Sequence, residues 1–166
     1  MNEKILLDSS IMETEKSWKI VNDGVMGGLS SSEVFVNENE KIVFKGDISL
    51  KNNGGFASLR SPINNFNFEK FSGLEIRING YGKKYNISMK ETVNFTGYFY
   101  RIQFSTEIKK YTTLKLPFNQ FKLFHFGKEI ISNKSIPLDK IKQISLLVSD
   151  KQEGKFMAEI DYINLY

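Results

Sequence analysis

Three stretches of this chain alternate apolar and polar residues with a period of two, and this pattern constrains the fold more than any other feature. They cover residues 74–78, 85–89 and 98–104. Successive side chains of a β-strand point to opposite faces of a sheet, so the alternation predicts strands with one buried face. No helical period of apolar residues lies between them. The pattern therefore predicts an all-β fold rather than a β-α-β fold.

Six further segments have the composition of strands, and short turn sequences separate them. They are residues 33–37, 42–50, 56–61, 112–116, 141–149 and 155–166. Two half-buried sheets must cover each other, so about nine short strands predict an antiparallel β-sandwich of the jelly-roll type. Only residues 9–17 could hold a helical turn. Residues 119–137 form the longest stretch without alternation, and loops of that length are often functional.

Length and composition exclude several classes of protein. A chain of 166 residues predicts one domain over residues 1–166, and the absence of cysteine excludes disulfides and thiolate metal sites. The net charge of +4 is spread along the chain without a basic run, which argues against nucleic acid as a partner. The first residues lack a signal-peptide pattern, and no apolar run reaches membrane-spanning length. The sequence thus predicts a soluble, cytoplasmic protein, of bacterial origin by its composition.

Two glycine pairs mark tightly shaped turns, one at residues 27–28 and one at residues 54–55. Glycine suits a backbone that takes positive φ or approaches another group closely. A phosphate-binding loop is disfavoured, because the first pair lacks a Gly-Lys-Ser/Thr ending and leads into a strand. The polar residues beside the pairs either cap the turns or form a partner-facing loop. The candidates for partner binding in these turns are Asn22, Asp23, Met26 and Asn53.

The sequence predicts no catalytic residue, no cofactor and no metal site. His125 is the single histidine, and it lies among aromatic residues with no Gly-x-Ser-x-Gly nucleophile beside it. Asp150 and Glu153 fall in a turn, whereas Glu159 and Asp161 fall on one face of a strand, where they are expected to form a solvated edge. Acidic oxygens near Asp150 leave calcium open as an alternative, although the spacing of a calcium loop is absent.

Polar residues on the predicted strands form a second group of candidates. Strand alternation places them opposite core rows, so they are expected to share one sheet surface where a ligand or a protein docks. They are Arg77, Lys90, Arg101 and Gln103. An ordinary solvated sheet face is the alternative. Arg60 follows the second glycine turn and is expected to form a structural pair with Asp23.

The glycine-rich segments also resemble the complex I intermediate-associated protein family. Matching pieces follow in family order: WKIVNDGVMGGLS at residues 18–30, NNGGFASLR at 52–60, GYGKKY at 80–85, YRIQFST at 100–106, LPF at 116–118 and VSDKQEGKF at 148–156. Three positions depart from the family pattern. Tyr81 stands where the family usually has Asp, and Phe126 stands where it commonly has Arg, so two charges are lost. Tyr111 stands where the family usually has Trp, so an aromatic ring is kept.

The resemblance implies a galactose-binding-like β-sandwich without catalytic activity. It further implies an assembly factor or chaperone of respiratory complex I that binds a protein partner, with subunits of the respiratory complex as the candidates. A carbohydrate-binding module is the alternative, because sugar-binding sandwiches share this fold. A hydrolase is supported only by scattered acidic residues and His125.

Overall fold

The computed structural model describes residues 4–166. Its strands, in chain order, are β1 Lys4–Leu7, β2 Lys19–Asn22, β3 Ser31–Val36, β4 Ile42–Ile48, β5 Ala57–Arg60, β6 Gly73–Asn79, β7 Lys84–Lys90, β8 Tyr98–Ser105, β9 Thr112–Pro117, β10 Lys122–His125, β11 Lys128–Glu129, β12 Gln143–Val148 and β13 Gly154–Leu165. A short helix, α1, covers Ser9–Met12, and 3-10 turns cover Asp23–Met26, Lys51–Asn53 and Phe118–Gln120.

The strands form two antiparallel sheets. Sheet A has the order β3-β4-β13-β6-β9, with β1 also paired to β13, and sheet B has the order β11-β10-β8-β7-β12-β5-β2. Strands that are neighbours in a sheet are mostly distant in sequence, as expected when the chain crosses between two sheets. The predicted all-β, antiparallel sandwich is confirmed.

Strand β13 organises sheet A. Its first half pairs with β4 from Gly154 to Ile160, and its second half pairs with β1 from Ile163 to Leu165. Along its other side it pairs with β6. One strand of 12 residues therefore holds three others, including the first strand of the described chain.

The core lies between the inner faces of the two sheets. The inner rows of β6, β7 and β12 are completely buried, and their members are Leu74, Ile76, Ile78, Tyr85, Ile87, Met89, Ile144, Leu146 and Val148. Burying a large apolar side chain stabilises a fold by roughly 1.5–3 kcal/mol, so these rows hold the sheets together. Strand β8 departs from the predicted pattern at one end, because Tyr98 is 46% exposed.

The nine predicted strand segments overlap β3 to β9, β12 and β13. Strands β1, β2, β10 and β11 escaped prediction, because each has four residues or fewer and carries little alternation. Strands β10 and β11 lie inside the stretch at residues 119–137, which is thus partly a hairpin at the edge of sheet B. The expected helical turn is α1, whose first turn is capped by Asp8. No helix within residues 4–166 has the length and apolar character needed to cross a membrane.

Candidate functional site

Asp23 lies where the two glycine segments meet. Its side chain is completely buried, with 0% exposure. Ser30 donates to this carboxylate from its backbone N–H at 2.9 Å and from its hydroxyl at 2.5 Å. The backbone N–H of Gly55 donates at 2.6 Å, and that of Phe56 at 3.3 Å. One carboxylate thus ties the loop after β2 to the loop before β5, and we call these four residues the Asp23 cluster.

The hydrogen bonds of the cluster hold Asp23 in its ionised form. Burial raises the pKa of this carboxyl group, but the hydrogen bonds from Ser30, Gly55 and Phe56 outweigh burial and leave the pKa below its ordinary value. No part of the side chain is exposed to solvent. The hypothesis that Asp23 itself faces a partner is therefore wrong, and its role is structural.

The glycines allow the chain to wrap closely around this carboxylate. A Cβ atom added to Gly28 would lie 2.4 Å from the Cγ of Asp23, and one added to Gly54 would lie 2.5 Å from its Oδ2. Gly27 and Gly55 have φ angles of +83° and +128°, which L-residues rarely adopt. The interpretation of both glycine pairs as tightly shaped turns is confirmed.

Other residues of these loops remain at the surface. The first loop exposes three apolar side chains, Val25, Met26 and Leu29, which are 74%, 65% and 59% exposed. Asn53 is exposed and has a φ angle of +58°. The Oδ1 of Asn22 accepts a hydrogen bond from the Ser32 hydroxyl at 2.7 Å, so this side chain is used within the fold. Met26 and Asn53 are therefore the surface candidates of the two loops.

A row of outward-facing residues crosses sheet B at right angles to its strands. Arg60 on β5 lies opposite Ser145 on β12, which lies opposite Ser88 on β7, which lies opposite Arg101 on β8. Lys90 projects from the same face, two residues beyond Ser88 along β7. Three cations thus surround small hydroxyl side chains, and we call Arg60, Lys90 and Arg101 the cation face.

Arg60 and Lys90 are partly buried and close enough to affect each other. The Nε of Arg60 donates to the Ser58 hydroxyl at 2.9 Å. Burial lowers the pKa of Arg60, and burial followed by the positive charge of Arg60 lowers the pKa of Lys90. The expected pair between Arg60 and Asp23 is wrong, because the carboxylate takes its hydrogen bonds from its own loops instead.

Arg101 lies at the other end of the row. Its guanidinium carbon is 5.1 Å from the centre of the Phe124 ring, and its Nε is buried without a hydrogen-bond acceptor. Burial lowers the pKa of Arg101, and the charge of Asp150 raises it. The Oδ2 of Asp150 is already hydrogen-bonded by Gln103 at 2.9 Å and by Asn86 at 2.8 Å. These residues line a depression of about 380 Å³ in the face of sheet B.

Arg77 lies on the other sheet, so the expectation that it shares a surface with Lys90, Arg101 and Gln103 is wrong. Its Nε is 3.1 Å from Asp161 on β13, and Lys41 holds the same carboxylate at 2.8 Å. Alternation fixes the face of a sheet on which a side chain lies, but not which of two sheets carries the strand. The expectation of a solvated edge is also wrong, since β13 lies between β4 and β6 and Asp161 is paired.

His125 and Asp150, which the sequence analysis considered for catalysis and metal binding, are both engaged within the fold. The ring of His125 stacks on that of Tyr98 with centroids 4.1 Å apart and contacts Phe126 at 4.4 Å, so it packs against aromatic rings. Within residues 4–166, no group of three or more His, Asp or Glu residues is placed to hold a metal ion. The carboxylate of Asp150 is engaged by two side-chain amides of the same sheet.

An exposed aromatic cluster at one end of sheet B was not predicted from the sequence. It consists of Phe95, Tyr98 and Phe126, which are 76%, 46% and 66% exposed, together with His125. Phe95 and Phe126 meet edge to face, with centroids 5.9 Å apart. The sequence signal was a phenylalanine close to a glycine in each of two turns, Phe95 before Gly97 and Phe126 before Gly127.

Comparison with known proteins identifies the family. The family model for complex I intermediate-associated protein 30 matches residues 8–160. The chain belongs to the complex I intermediate-associated protein 30 family. It is 25% identical over 174 residues to the mitochondrial complex I intermediate-associated protein 30 of Mus musculus, covering 90% of this chain and 52% of the mouse protein. The predicted family is thereby confirmed.

A Caenorhabditis elegans protein described as a "probable complex I intermediate-associated protein 30, mitochondrial" is 28% identical over 171 residues, covering 90% of this chain and 50% of the nematode protein. The chain thus spans about half the length of the curated relatives that it matches. Each match covers 90% of this chain, so the β-sandwich is the part that the chain shares with both animal proteins.

The solved structures extend the likeness of the fold beyond the complex I intermediate-associated protein 30 family. The family 11 carbohydrate-binding module of a cellulosomal cellulase of Clostridium thermocellum superposes with a TM-score of 0.71. The match covers 99% of this chain and 94% of the module at 16% identity. At this identity the likeness establishes the fold alone, which is that of carbohydrate-binding β-sandwiches.

Proposed function

We propose that the chain is a non-catalytic binding module that holds a protein partner during the assembly of a respiratory complex. Membership of a family named for complex I intermediates supports the class of function. The observation that carries the proposal is the cation face, where Arg60, Lys90 and Arg101 project from one sheet with a buried guanidinium N–H left unbonded. Partly buried charges without a counter-charge are costly, and a partner of opposite charge offsets that cost.

The proposed docking surface is the outer face of sheet B. Arg60, Lys90, Arg101 and Gln103 all lie on it, and the depression beside Arg101 and Gln103 adds shape to it. The central strands beneath it are paired on both sides and their inner rows are buried, so we infer that the surface is ordered before a partner arrives. Pre-ordering reduces the entropy lost on association.

The test is capture of subunits of NADH:ubiquinone oxidoreductase from detergent-solubilised membranes. The tagged chain serves as bait, the same bait unfolded by heat serves as the control, and captured proteins are quantified by mass spectrometry. We expect subunits of the respiratory complex to be enriched by the folded bait alone. Equal recovery of these subunits on folded and unfolded bait would contradict the proposal.

A carbohydrate-binding module is the second candidate function. The exposed aromatic cluster of Phe95, Tyr98 and Phe126 favours it, since aromatic rings exposed together suit stacking on a sugar. The similarity of the fold to a carbohydrate-binding module also supports this candidate function. A glycan array probed with the folded chain tests it, with a Phe95→Ala, Phe126→Ala variant as the control. A signal that the variant loses would support this second candidate.

A further inference from the structure

We infer that the cation face binds an extended acidic segment of a protein partner, with carboxylates of the segment seated on Arg60, Lys90 and Arg101. The inference rests on the proposed function in one respect, namely that the ligand is a protein. It adds the chemistry of the partner, the direction in which its segment lies and the side chains that hold it.

The first argument is the distribution of ion pairs. Lys41, Lys45, Arg77, Lys110 and Lys122 each have a carboxylate oxygen within 4.0 Å. Among residues 4–166, none lies within that distance of Arg60, Lys90 or Arg101. The charge of Asp150 acts on Arg101, but its Oδ2 is already bonded by two amides. No carboxylate of the described residues therefore pairs directly with the three cations of this face, although Lys122, which lies opposite Arg101, is paired with Glu129.

The second argument is burial. All three cations lose part of their hydration in the folded chain, which is why their pKa values fall. A partly buried charge without a partner is costly, and charge-assisted hydrogen bonds to a carboxylate offset that cost. Arg101 as a whole is half-buried, so a carboxylate would approach the part of its side chain that solvent reaches. This face is therefore suited to bind an anion.

The third argument is spacing. Arg60 and Arg101 are separated by three steps between strands, from β5 through β12 and β7 to β8. At about 4.8 Å per step their backbones are about 14 Å apart. An extended peptide advances about 3.4 Å per residue, so acidic residues at positions i and i+4 span about 14 Å on one face. A segment that crosses the strands of sheet B can thus reach both arginines.

The chemistry of the row favours a peptide over an acidic sugar. The positions between the two arginines are Ser145 and Ser88, which offer no aromatic surface for a pyranose ring. The guanidinium of Arg101 lies over the ring of Phe124, on the neighbouring strand. Sugar recognition usually needs a free ring face, whereas carboxylates need the cations that are present.

The experiment uses a fluorescein-labelled peptide of about ten residues with alternating Glu and Thr, and a matched peptide with alternating Gln and Thr. Binding to the folded chain is measured by fluorescence anisotropy over a series of salt concentrations. We expect the Glu peptide to bind, the Gln peptide to bind at least about tenfold more weakly, and added salt to weaken the Glu peptide, because exposed charges are screened.

Two double variants locate the site. Arg60→Gln with Lys90→Gln removes two charges from the cation face, and Lys45→Gln with Lys115→Gln removes two from the outer face of sheet A. We expect the first variant to lose about tenfold or more in affinity for the Glu peptide and the second to stay within about twofold. Thermal unfolding verifies that both variants fold, and the peptide pair and salt series on the unchanged chain need no variant at all.

Several results would overturn the inference. They are equal binding of the Glu and Gln peptides, equal losses in the two double variants, and binding of polygalacturonate without binding of the Glu peptide. Its failure is distinguishable from that of the proposed function. Capture of respiratory-complex subunits that survives Arg60→Gln with Lys90→Gln would contradict this inference alone, whereas absence of all capture would contradict the proposed function.

Discussion

The Asp23 cluster and the cation face are both partly buried polar groups, yet they differ in how their charges are satisfied. Asp23 receives four hydrogen bonds from its own loops, and its charge is stabilised inside the fold. Arg60 has one bond to a serine, and Arg101 leaves a buried N–H without an acceptor. Complete internal satisfaction indicates a structural role, whereas we infer that the cations of sheet B, which lack a carboxylate partner, serve a binding partner.

The outer face of sheet A supports the same distinction. There, Arg77 and Lys41 share Asp161, and the Tyr111 hydroxyl donates to Glu159 at 3.0 Å. This face resembles the Asp23 cluster in that its charges find partners within the chain. Of the two sheets, only sheet B turns partly buried cations outward without acidic partners among residues 4–166. The predictions below test this difference.

The largest effect is expected from Asp23→Ala. It leaves three backbone N–H donors and one hydroxyl in the interior without their acceptor. A fully buried unsatisfied group costs about 1–3 kcal/mol, but these four donors are only partly buried and the Ser30 hydroxyl has a second acceptor in the carbonyl oxygen of Ser49. We therefore expect a loss of roughly 3–5 kcal/mol in the free energy of unfolding. Urea denaturation measures it, with Asp139→Ala at an exposed position as the control. A loss as small as that of the control would show that the cluster is not a structural hub.

The second largest effect concerns the close approach of the backbone to Asp23. In Gly28→Ala the new Cβ would lie 2.4 Å from the Asp23 Cγ, whereas in Gly24→Ala it would meet nothing within 4 Å. We expect Gly28→Ala to cost about 1–3 kcal/mol by overpacking and Gly24→Ala to change stability by at most about 0.5 kcal/mol. The difference between their thermal midpoints is the measurement. Equal midpoints would contradict the idea that the loop wraps tightly around the carboxylate.

A third effect should appear at acidic pH. The folded-state pKa of Asp23 is below the ordinary value of 3.8. Its contribution to stability is therefore present above that value and is lost as the pH falls through the folded-state pKa. We expect the free energy of unfolding to fall below about pH 4. In Asp23→Asn the fall should be shallower, because this group no longer titrates. Parallel curves for the two proteins between about pH 2 and pH 5 would refute the assignment.

The smallest effect is expected on the cation face. Arg101→Met removes a partly buried charge whose Nε has no acceptor, so stability should change by less than about 0.5 kcal/mol or rise slightly. Arg77→Met, on sheet A, removes the pair with Asp161 and should cost about 0.5–1 kcal/mol. Chemical denaturation of the two variants compares the faces directly. A clearly larger loss in Arg101→Met would assign this arginine a structural role.

Much of the fold could be predicted from local patterns. The alternation in β6 and β7 identified the residues that point inward. All six are buried as expected, and they are Leu74, Ile76, Ile78, Tyr85, Ile87 and Met89. Strands β2 and β10 could not be identified in this way, because four residues give too few alternations to rise above chance. They form only because neighbouring strands, β5 and β8, supply hydrogen bonds along their whole length.

The site was predicted less completely than the fold. The glycine pairs revealed the tight turns, but not that Asp23 rather than Asn22 or Asn53 lies at their centre. Alternation placed two arginines, a lysine and a glutamine on outer faces, namely Arg77, Lys90, Arg101 and Gln103. The separation of Arg77 from Arg101 depends on which sheet each strand joins. Such long-range pairing is a property of the whole topology, and no local pattern encodes it.

The pairing of β1 with β13 has a practical consequence for engineering. Lys4 lies opposite Leu165, so the start of β1 and the end of β13 are neighbours on sheet A. A short glycine linker could therefore join them and new ends could be opened in an exposed turn, giving a circular permutant with the same sheets. By the same geometry, a host protein could carry this sandwich as an insertion in one of its surface loops, with both connections leaving from one place.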